Sequence, residues 1–335
     1  MAIDRNQHLK KVLDTHDIQK LPELPTYIEK KNKVKKALSA KFASEKASMP
    51  IDSGSYAKGT SINTKFDIDC CIPFRKKISD SDKGFSSLEK MYNAVHDYLR
   101  NEYVDEDDDI VKEDVRKQKV SIGMKFKFDD GDEFELDVVP GRERPNNGSY
   151  NDESTDLSLY IKPSQRTKKE EEDNKTRIRT NVKKHVELLK GESRKHERKI
   201  ARLLKVWKTE RKNKNGGKLI KSFVMEVYTR DAFDACDNLP SGLWEKTKMV
   251  MTYIIERIES TKLEDPANSS NIISDSMSST AKTDTRRAME KTISDIDEDG
   301  DTIKDYFPIN EEYDVEEEDT SSSNSASYLS TNKFG

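Results

Sequence analysis

The sequence has few cysteines and no long apolar run. Cys70, Cys71 and Cys236 are too few and too unevenly placed for a disulfide framework, and the adjacent pair lacks the C-x-x-C spacing of a metal site. We expect reduced cysteines that serve as packing residues. No run of about eighteen apolar residues exists, and the first residues lack the apolar segment of a secretory signal. These absences predict a soluble protein of the cytoplasm.

Charge, in contrast, is abundant and unevenly distributed. Charged residues make up 37% of the 335 positions and hydrophobic residues 33%, so we expect a modest core under a strongly ionic surface. The net charge of −4 conceals two opposed segments. Residues 162–221 carry 22 Lys and Arg against 8 Asp and Glu, whereas residues 289–320 carry 2 against 14. The middle of the chain can therefore hold polyanions, and the C-terminal segment cannot.

Apolar spacing predicts helices and strands in alternation, followed by a helical second half. A long amphipathic helix is predicted over Leu21–Lys46, a strand over Phe66–Phe74, a helix over Ser87–Asn101, and a hairpin with an Asp-Gly turn over Val120–Val139. The turn-rich residues 141–174 are predicted to be loops. Further helices are predicted over Arg177–Lys190, Ser193–Asn213, Lys221–Phe233 and Leu243–Thr261. Beyond residue 290 the helical pattern fades into acid-rich sequence.

The stretch GSYAKGTSINTKFDIDCCIPF, residues 54–74, contains two aspartates separated by one apolar residue. Residues i and i+2 of a strand share a face, so Asp67 and Asp69 can reach one cation while Ile68 points into the core. Asp137, in the second strand of the predicted hairpin, is a third available carboxylate. Mg²⁺ prefers carboxylate oxygens and substrate phosphates, and two such ions can hold the attacking and leaving oxygens of a phosphoryl displacement. The pattern predicts a site for two Mg²⁺ ions, with Mn²⁺ as a substitute.

The turn that precedes these aspartates fits the same chemistry. Gly54 allows the backbone to approach a ligand closely, and the hydroxyl of Ser55, together with adjacent N–H groups, can bind triphosphate oxygens. Gly59 and Thr60 would continue this loop.

The pattern G-S-x11-D-x-D, with a distant aspartate in an apolar strand, resembles the nucleotidyltransferase fold of the DNA polymerase beta superfamily. Together with FELDVVP, LLKVWK and KSFVMEVY, it resembles the bacterial relatives of cyclic GMP-AMP synthase and oligoadenylate synthase, the cGAS/DncV-like (CD-NTase) family of cyclic-oligonucleotide synthases of anti-phage defence. The resemblance covers residues 30–293.

This resemblance implies an α/β (α+β) fold, in which a polymerase-beta-like sheet is joined to a long N-terminal spine helix and a helical C-terminal lobe. Residues 1–160 would form the catalytic core, residues 161–310 the lobe that closes the cleft, and residues 311–335 an acidic, Ser-rich disordered tail.

The resemblance also assigns roles to particular residues. Asp67, Asp69 and Asp137 would form the catalytic metal-binding triad, and Asp137 would also help to deprotonate the acceptor hydroxyl. The residues implied to bind nucleotide are Gly54, Ser55, Lys205, Lys221 and Ser222.

The implied activity is a pyrophosphate-releasing condensation of nucleoside triphosphates into a cyclic di- or trinucleotide that acts on a downstream effector. A ubiquitin-like conjugation partner of the E1/E2 type is a further expectation, because some relatives are conjugated through a terminal residue and this chain ends in Gly335. Neither a membrane nor a nucleic acid is expected as a partner. The open alternatives are a linear oligonucleotide synthase, an enzyme that transfers AMP to a protein or RNA hydroxyl, and a nucleic-acid-binding protein with a degenerate site.

Overall fold

A computed structural model describes residues 3–64, 66–144, 156–216 and 220–314. Its helices are α1 Arg5–Thr15, α2 Leu24–Lys41, α3 Gly54–Lys58, α4 Leu88–Asn101, α5 Lys168–Glu172, α6 Val182–Glu187, α7 Lys195–Asn215, α8 Ser222–Asp234, α9 Leu243–Arg257, α10 Ser279–Glu298 and α11 Ile303–Tyr306. Its strands are β1 Ile51–Ser53, β2 Ile68–Phe74, β3 Val115–Lys117, β4 Ile122–Lys127, β5 Glu133–Glu143, β6 Leu157–Tyr160, β7 Arg177–Thr180, β8 Glu264–Asp265 and β9 Asn268–Ile272.

A mixed sheet forms the N-terminal half. Its strands lie in the order β1-β2-β5-β4-β3, with β6 beside β5 and β7 beside β6. Strands β2 and β5 are parallel, while the other neighbours are antiparallel. Strands β4 and β5 form the predicted hairpin, and the apolar residues that alternate along them, such as Phe126 and Leu136, are fully buried. The mixed α/β sheet that the sequence predicts is therefore present.

Two helices cover one face of this sheet. Helix α2 carries Pro25 in its first turn, and its Val34 and Leu38 pack with Met91 and Val95 of α4 against β2, β4 and β5. All four of these side chains are inaccessible to solvent. Helix α2 is the predicted spine helix, within narrower bounds than Leu21–Lys46 because residues 42–45 leave the helix in turns.

The second half of the chain is helical, as expected. Helices α7 to α11 and the N-terminal α1 enclose a second core whose largest members are Trp207 and Trp244. The acid-rich sequence beyond residue 290 does not end the helix, because α10 continues to Glu298 and buries Thr292 and Ile296 against this core. None of the helices in the described ranges is long and apolar enough to cross a membrane.

Two of the predicted segments differ in the structure. The predicted helix Arg177–Lys190 begins as strand β7, which pairs with β6 across residues 157–160, and only Val182–Glu187 is helical. Residues 141–174 are not loops throughout, since β5 extends to Glu143 and β6 follows it. The polar residues that favour loops here satisfy their backbone groups by pairing at the edge of the sheet instead.

The structure describes only residues 311–314 of the predicted tail. Glu311–Tyr313 form a single 3-10 turn, and Asp314 forms an ion pair with Lys11 of α1, with 2.7 Å between Oδ2 and Nζ. The rest of the predicted tail, including Gly335, lies outside the described residues.

Candidate active site

Asp69 and Asp137 lie opposite each other in the two parallel strands β2 and β5. Register partners on adjacent strands are about 4.8 Å apart and point to the same face, so the two carboxylates share one face of the sheet. Asp67 lies immediately before β2 and is exposed, whereas Ile68 is fully buried, as the sequence predicted. The sheet topology therefore places Asp69 and Asp137 side by side on one face, with Asp67 two residues before Asp69.

Gly54 is packed against the Asp69 carboxylate. Its φ is +69°, which favours glycine, and a Cβ atom built there would lie 1.7 Å from Asp69 Oδ2. The short helix α3 begins at Gly54 and is capped at its C-terminus by Gly59, which is also left-handed with a φ of +70°. Within this turn the hydroxyls of Ser55 and Ser61 are hydrogen bonded at 2.9 Å. The predicted turn thus lies directly beside the predicted aspartates.

The carboxylates repel one another in a partly buried position. Burial, followed by the charges of Asp67 and Asp137, raises the pKa of Asp69 to about 7. Burial and the charge of Asp67 raise the pKa of Asp137 to about 6, against hydrogen bonds from Gln118 and Ser121 that lower it. A bound cation would offset the repulsion between the carboxylates and so lower the pKa of both Asp69 and Asp137.

The donor chemistry fits a hard divalent cation, since all three side chains offer carboxylate oxygens on one face. As the side chains stand, no group of three or more His, Cys, Asp or Glu residues in the described ranges is close enough to hold a metal ion. The arrangement is a set of adjacent ligands, and the carboxylates would have to turn toward a common ion.

A cavity of about 420 Å³ opens beside Asp67 and Asp69, between α3, α7 and α8. We call it the phosphate cavity. The predicted residues that line it are Ser55, Asp67, Asp69, Lys205 and Ser222. Its cations are Lys58, Lys205, Lys208 and Lys212. Lysines from two helices therefore face the aspartates across one opening, an arrangement suited to a polyphosphate bridged to the protein by cations.

The residues of the C-terminal lobe that are predicted to bind nucleotide differ in how they lie relative to the cavity. Ser222 begins α8 and accepts a hydrogen bond from Lys208 Nζ at 3.0 Å. Lys205 lines the cavity but is 8% exposed, and its ammonium group is hydrogen bonded within the protein. Lys221 precedes α8 as its N-cap and is absent from the described lining of the cavity.

Sequence reasoning missed Lys58, Lys208 and Glu226. Lys208 follows Lys205 by three residues on α7, and this helical spacing alone could have placed both on one face. Glu226 interrupts the apolar run SFVMEVY, and a carboxylate in a buried helix requires a cationic partner. Both signals were present in the sequence, but neither identified its partner.

Two cysteines complete the comparison with the sequence predictions. Cys70 and Cys71 are fully buried, and burial raises the pKa of Cys70 to about 12, so both are packing residues as expected.

Comparison with known proteins identifies the class of fold. No family model and no curated protein matches the sequence. Solved structures do match over nearly the whole chain, and they are CD-NTases, so the chain has the CD-NTase fold.

Three of these structures show the extent of the similarity. Escherichia coli MS115-1 CdnC, in a structure with ATP, is 16% identical and has a TM-score of 0.65, with 92% of this chain and 94% of that chain covered. Bradyrhizobium diazoefficiens CdnG, in complex with GTP, is 12% identical and has a TM-score of 0.65, with 91% of this chain and 95% of that chain covered. The cyclic dinucleotide synthase CdnE of Elizabethkingia meningoseptica, in a structure with GTP and Apcpp, is 15% identical and has a TM-score of 0.56. The match covers 87% of this chain and 98% of that chain.

Proposed function

We propose that this chain is a nucleotidyltransferase of the CD-NTase family that condenses nucleoside triphosphates into a cyclic di- or trinucleotide. The observation that carries the proposal is the register of Asp69 and Asp137 on adjacent parallel strands, beside a lysine-lined cavity and under the Gly54 turn. The nucleotides held by structures of the same fold, ATP in CdnC and GTP in CdnG, support triphosphates as the substrates.

Asp67, Asp69 and Asp137 would hold two Mg²⁺ ions, with Mn²⁺ as a substitute. When bound, these ions offset the charge of the phosphates and of the displaced oxygen. Burial and mutual repulsion raise the pKa of Asp69 and Asp137, and a bound cation would offset the repulsion, which supports this assignment.

The reaction joins the ribose hydroxyl of one nucleotide to the α-phosphorus of another. Asp137, partly buried in the central strand β5, accepts the proton of that hydroxyl as the new O–P bond forms. The bond from the α-phosphorus to the oxygen that bridges to the β-phosphorus breaks, and pyrophosphate leaves. A second condensation of the same kind closes the ring.

The protein contributes mainly position and charge. Ser55, on the turn beside Asp69, would donate to the triphosphate of the donor nucleotide, and Lys208 with Ser222 would hold the same group from the other side of the phosphate cavity. Such fixation makes an intermolecular attack effectively intramolecular, which accounts for much of the rate enhancement in phosphoryl transfer.

The resemblance of the motifs to the anti-phage (CBASS) synthases supports a signalling role in the cytoplasm, with an effector that binds the cyclic product. We include in this proposal the conjugation of Gly335 by an E1/E2-type partner. Expression of wild-type and Gly335→Glu protein with the neighbouring genes tests it: a higher-mass adduct on the wild type alone supports conjugation, and unimpaired signalling by the variant contradicts it.

The enzymatic proposal is tested by incubating the protein with Mg²⁺ and the four labelled nucleoside triphosphates. We expect release of pyrophosphate and a product that resists phosphatase, because a cyclic product has no terminal phosphate. Asp67→Ala/Asp69→Ala protein should be inactive. Asp80→Ala, whose carboxylate is fully exposed on the same half of the chain, is the matched control and should retain activity. Equal product from the double variant would contradict the site, and a phosphatase-sensitive product would indicate a linear synthase.

A further inference from the structure

One carboxylate lies between two lysines at the floor of the phosphate cavity. Glu226 of α8 is 2% exposed, and its Oε1 atom is 2.8 Å from Lys205 Nζ, while Oε2 pairs with Lys58. Thr60 also donates its hydroxyl to Oε1 at 2.6 Å. Burial alone raises the pKa of Glu226, but the two ammonium groups outweigh it and hold the pKa well below its usual range. The three charged groups form one tightly bonded unit.

Lys205 has no N–H group left for a phosphate in this arrangement. Its ammonium group donates to the Thr60 carbonyl at 2.9 Å and to the Thr60 hydroxyl at 3.1 Å, and its third partner is Glu226. An ammonium group has three donors, so these oxygens use all of them. A direct Lys205–phosphate contact therefore requires one of these bonds to break.

The unit also fixes the charge of the cavity floor. Two ammonium groups and one carboxylate leave a net charge of +1, whereas the lysines without Glu226 would present +2 to a polyphosphate. A cavity that binds the substrate triphosphate and the product pyrophosphate equally tightly does not accelerate the reaction. Only interactions that become stronger in the transition state raise the rate. An over-charged floor would also retain pyrophosphate.

We propose that Glu226 limits the affinity of the phosphate cavity for polyphosphate by withholding Lys58 and Lys205 from phosphate oxygens. Glu226 is thus a positioning residue that acts through the lysines and not on the substrate. This inference rests on the proposed nucleotidyltransferase function and names the residue that regulates product release at the same site.

The test is a cycle of variants in which the charge of the unit is changed in both directions. The unit carries a charge of +1 in the wild type, +2 in Glu226→Gln and 0 in Lys58→Met. In the Lys58→Met/Glu226→Gln double variant the charge is again +1. Calorimetric titration with inorganic pyrophosphate and Mg²⁺ measures affinity, thermal unfolding checks that each variant is folded at the assay temperature, and steady-state kinetics give kcat and KM.

We expect Glu226→Gln to bind pyrophosphate about tenfold more tightly and Lys58→Met about tenfold more weakly, with the double variant near the wild type, because one unit charge near a phosphate changes the affinity by about that factor. Both KM and kcat should fall in Glu226→Gln. A merely structural role would not tighten binding. If Glu226→Gln does not fold, the double variant must still bind about tenfold more tightly than Lys58→Met.

Two results overturn the inference. Folded variants with equal pyrophosphate affinity, or weaker binding by folded Glu226→Gln, would show that Glu226 does not limit affinity, while the proposed function would stand. A wild-type protein that binds neither pyrophosphate nor nucleoside triphosphate would instead overturn the proposed function, and this inference with it.

Discussion

Replacement of Gly54 by alanine tests the turn that positions Asp69, the proposed catalytic aspartate. The new Cβ atom would lie 1.7 Å from Oδ2, 2.5 Å from Cγ and 2.9 Å from Cβ of Asp69. Rotation of the carboxylate does not clear all three contacts, so the turn and the strand must separate. A displacement of about 1 Å in a reacting group lowers the rate about 100-fold. We therefore expect kcat for nucleotide condensation to fall by about that factor.

We expect Gly54→Ala to lower the unfolding free energy only modestly, although it lowers kcat strongly. An alanine in the left-handed region costs about 1–2 kcal/mol of unfolding free energy. Gly131→Ala is the matched control, because Gly131 also has a positive φ, of +92°, but among the described residues no atom beyond its chain neighbours lies within 4 Å of its added Cβ. Thermal unfolding and steady-state kinetics of both variants separate strain from displacement. Equal kcat values for the two alanine variants would refute the packing argument.

Three further predictions concern substrate binding, the core and the response to pH. Ser222→Ala should raise KM for the nucleoside triphosphate about tenfold with a smaller change in kcat, since a hydrogen bond to a charged group contributes about 1.5–3 kcal/mol; an unchanged KM would contradict its role. Asp107→Ala removes one of the two carboxylates that lie 2.5 Å from the buried Lys30 ammonium group, the other being Asp109, and should lower the unfolding free energy by about 1.5–3 kcal/mol, measured by urea denaturation, with kcat retained. A loss below 1 kcal/mol would count against a buried pair. Burial lowers the pKa of His16, whose Nε2 is 3.1 Å from the Pro308 carbonyl, below its unfolded value of about 6.5. Stability is therefore present above that pH and lost as pH falls below it, so the melting temperature should fall less between pH 7.5 and 5.5 in His16→Gln than in the wild type.

The sequence identified the carboxylates because strand geometry is local and periodic. Alternation along Phe134, Leu136 and Val138 fixes which face Asp137 occupies, and the i, i+2 spacing does the same for Asp67 and Asp69. That Asp69 and Asp137 are direct register partners did not follow, because the pairing of β2 with β5 is a parallel contact between strands distant in the chain.

The surroundings of Lys205 show what local patterns leave open. The helical spacing of LLKVWK places this lysine on an amphipathic helix, but its contacts with Thr60 and Glu226 join three elements separated by up to 166 residues. Strand β7 was missed for a similar reason, since its four residues are stabilised by pairing with β6 and carry no strong apolar alternation of their own.

The most direct test of the central claim is the mass of the product formed by wild-type protein from the four nucleoside triphosphates with Mg²⁺. We predict a species that contains two or three nucleoside monophosphate residues joined in a ring, with no 5′-triphosphate and with one pyrophosphate released for each bond formed. A product that retains the triphosphate, or AMP attached to a protein, would contradict cyclisation. The absence of any nucleotide product from active, folded protein would contradict the account as a whole.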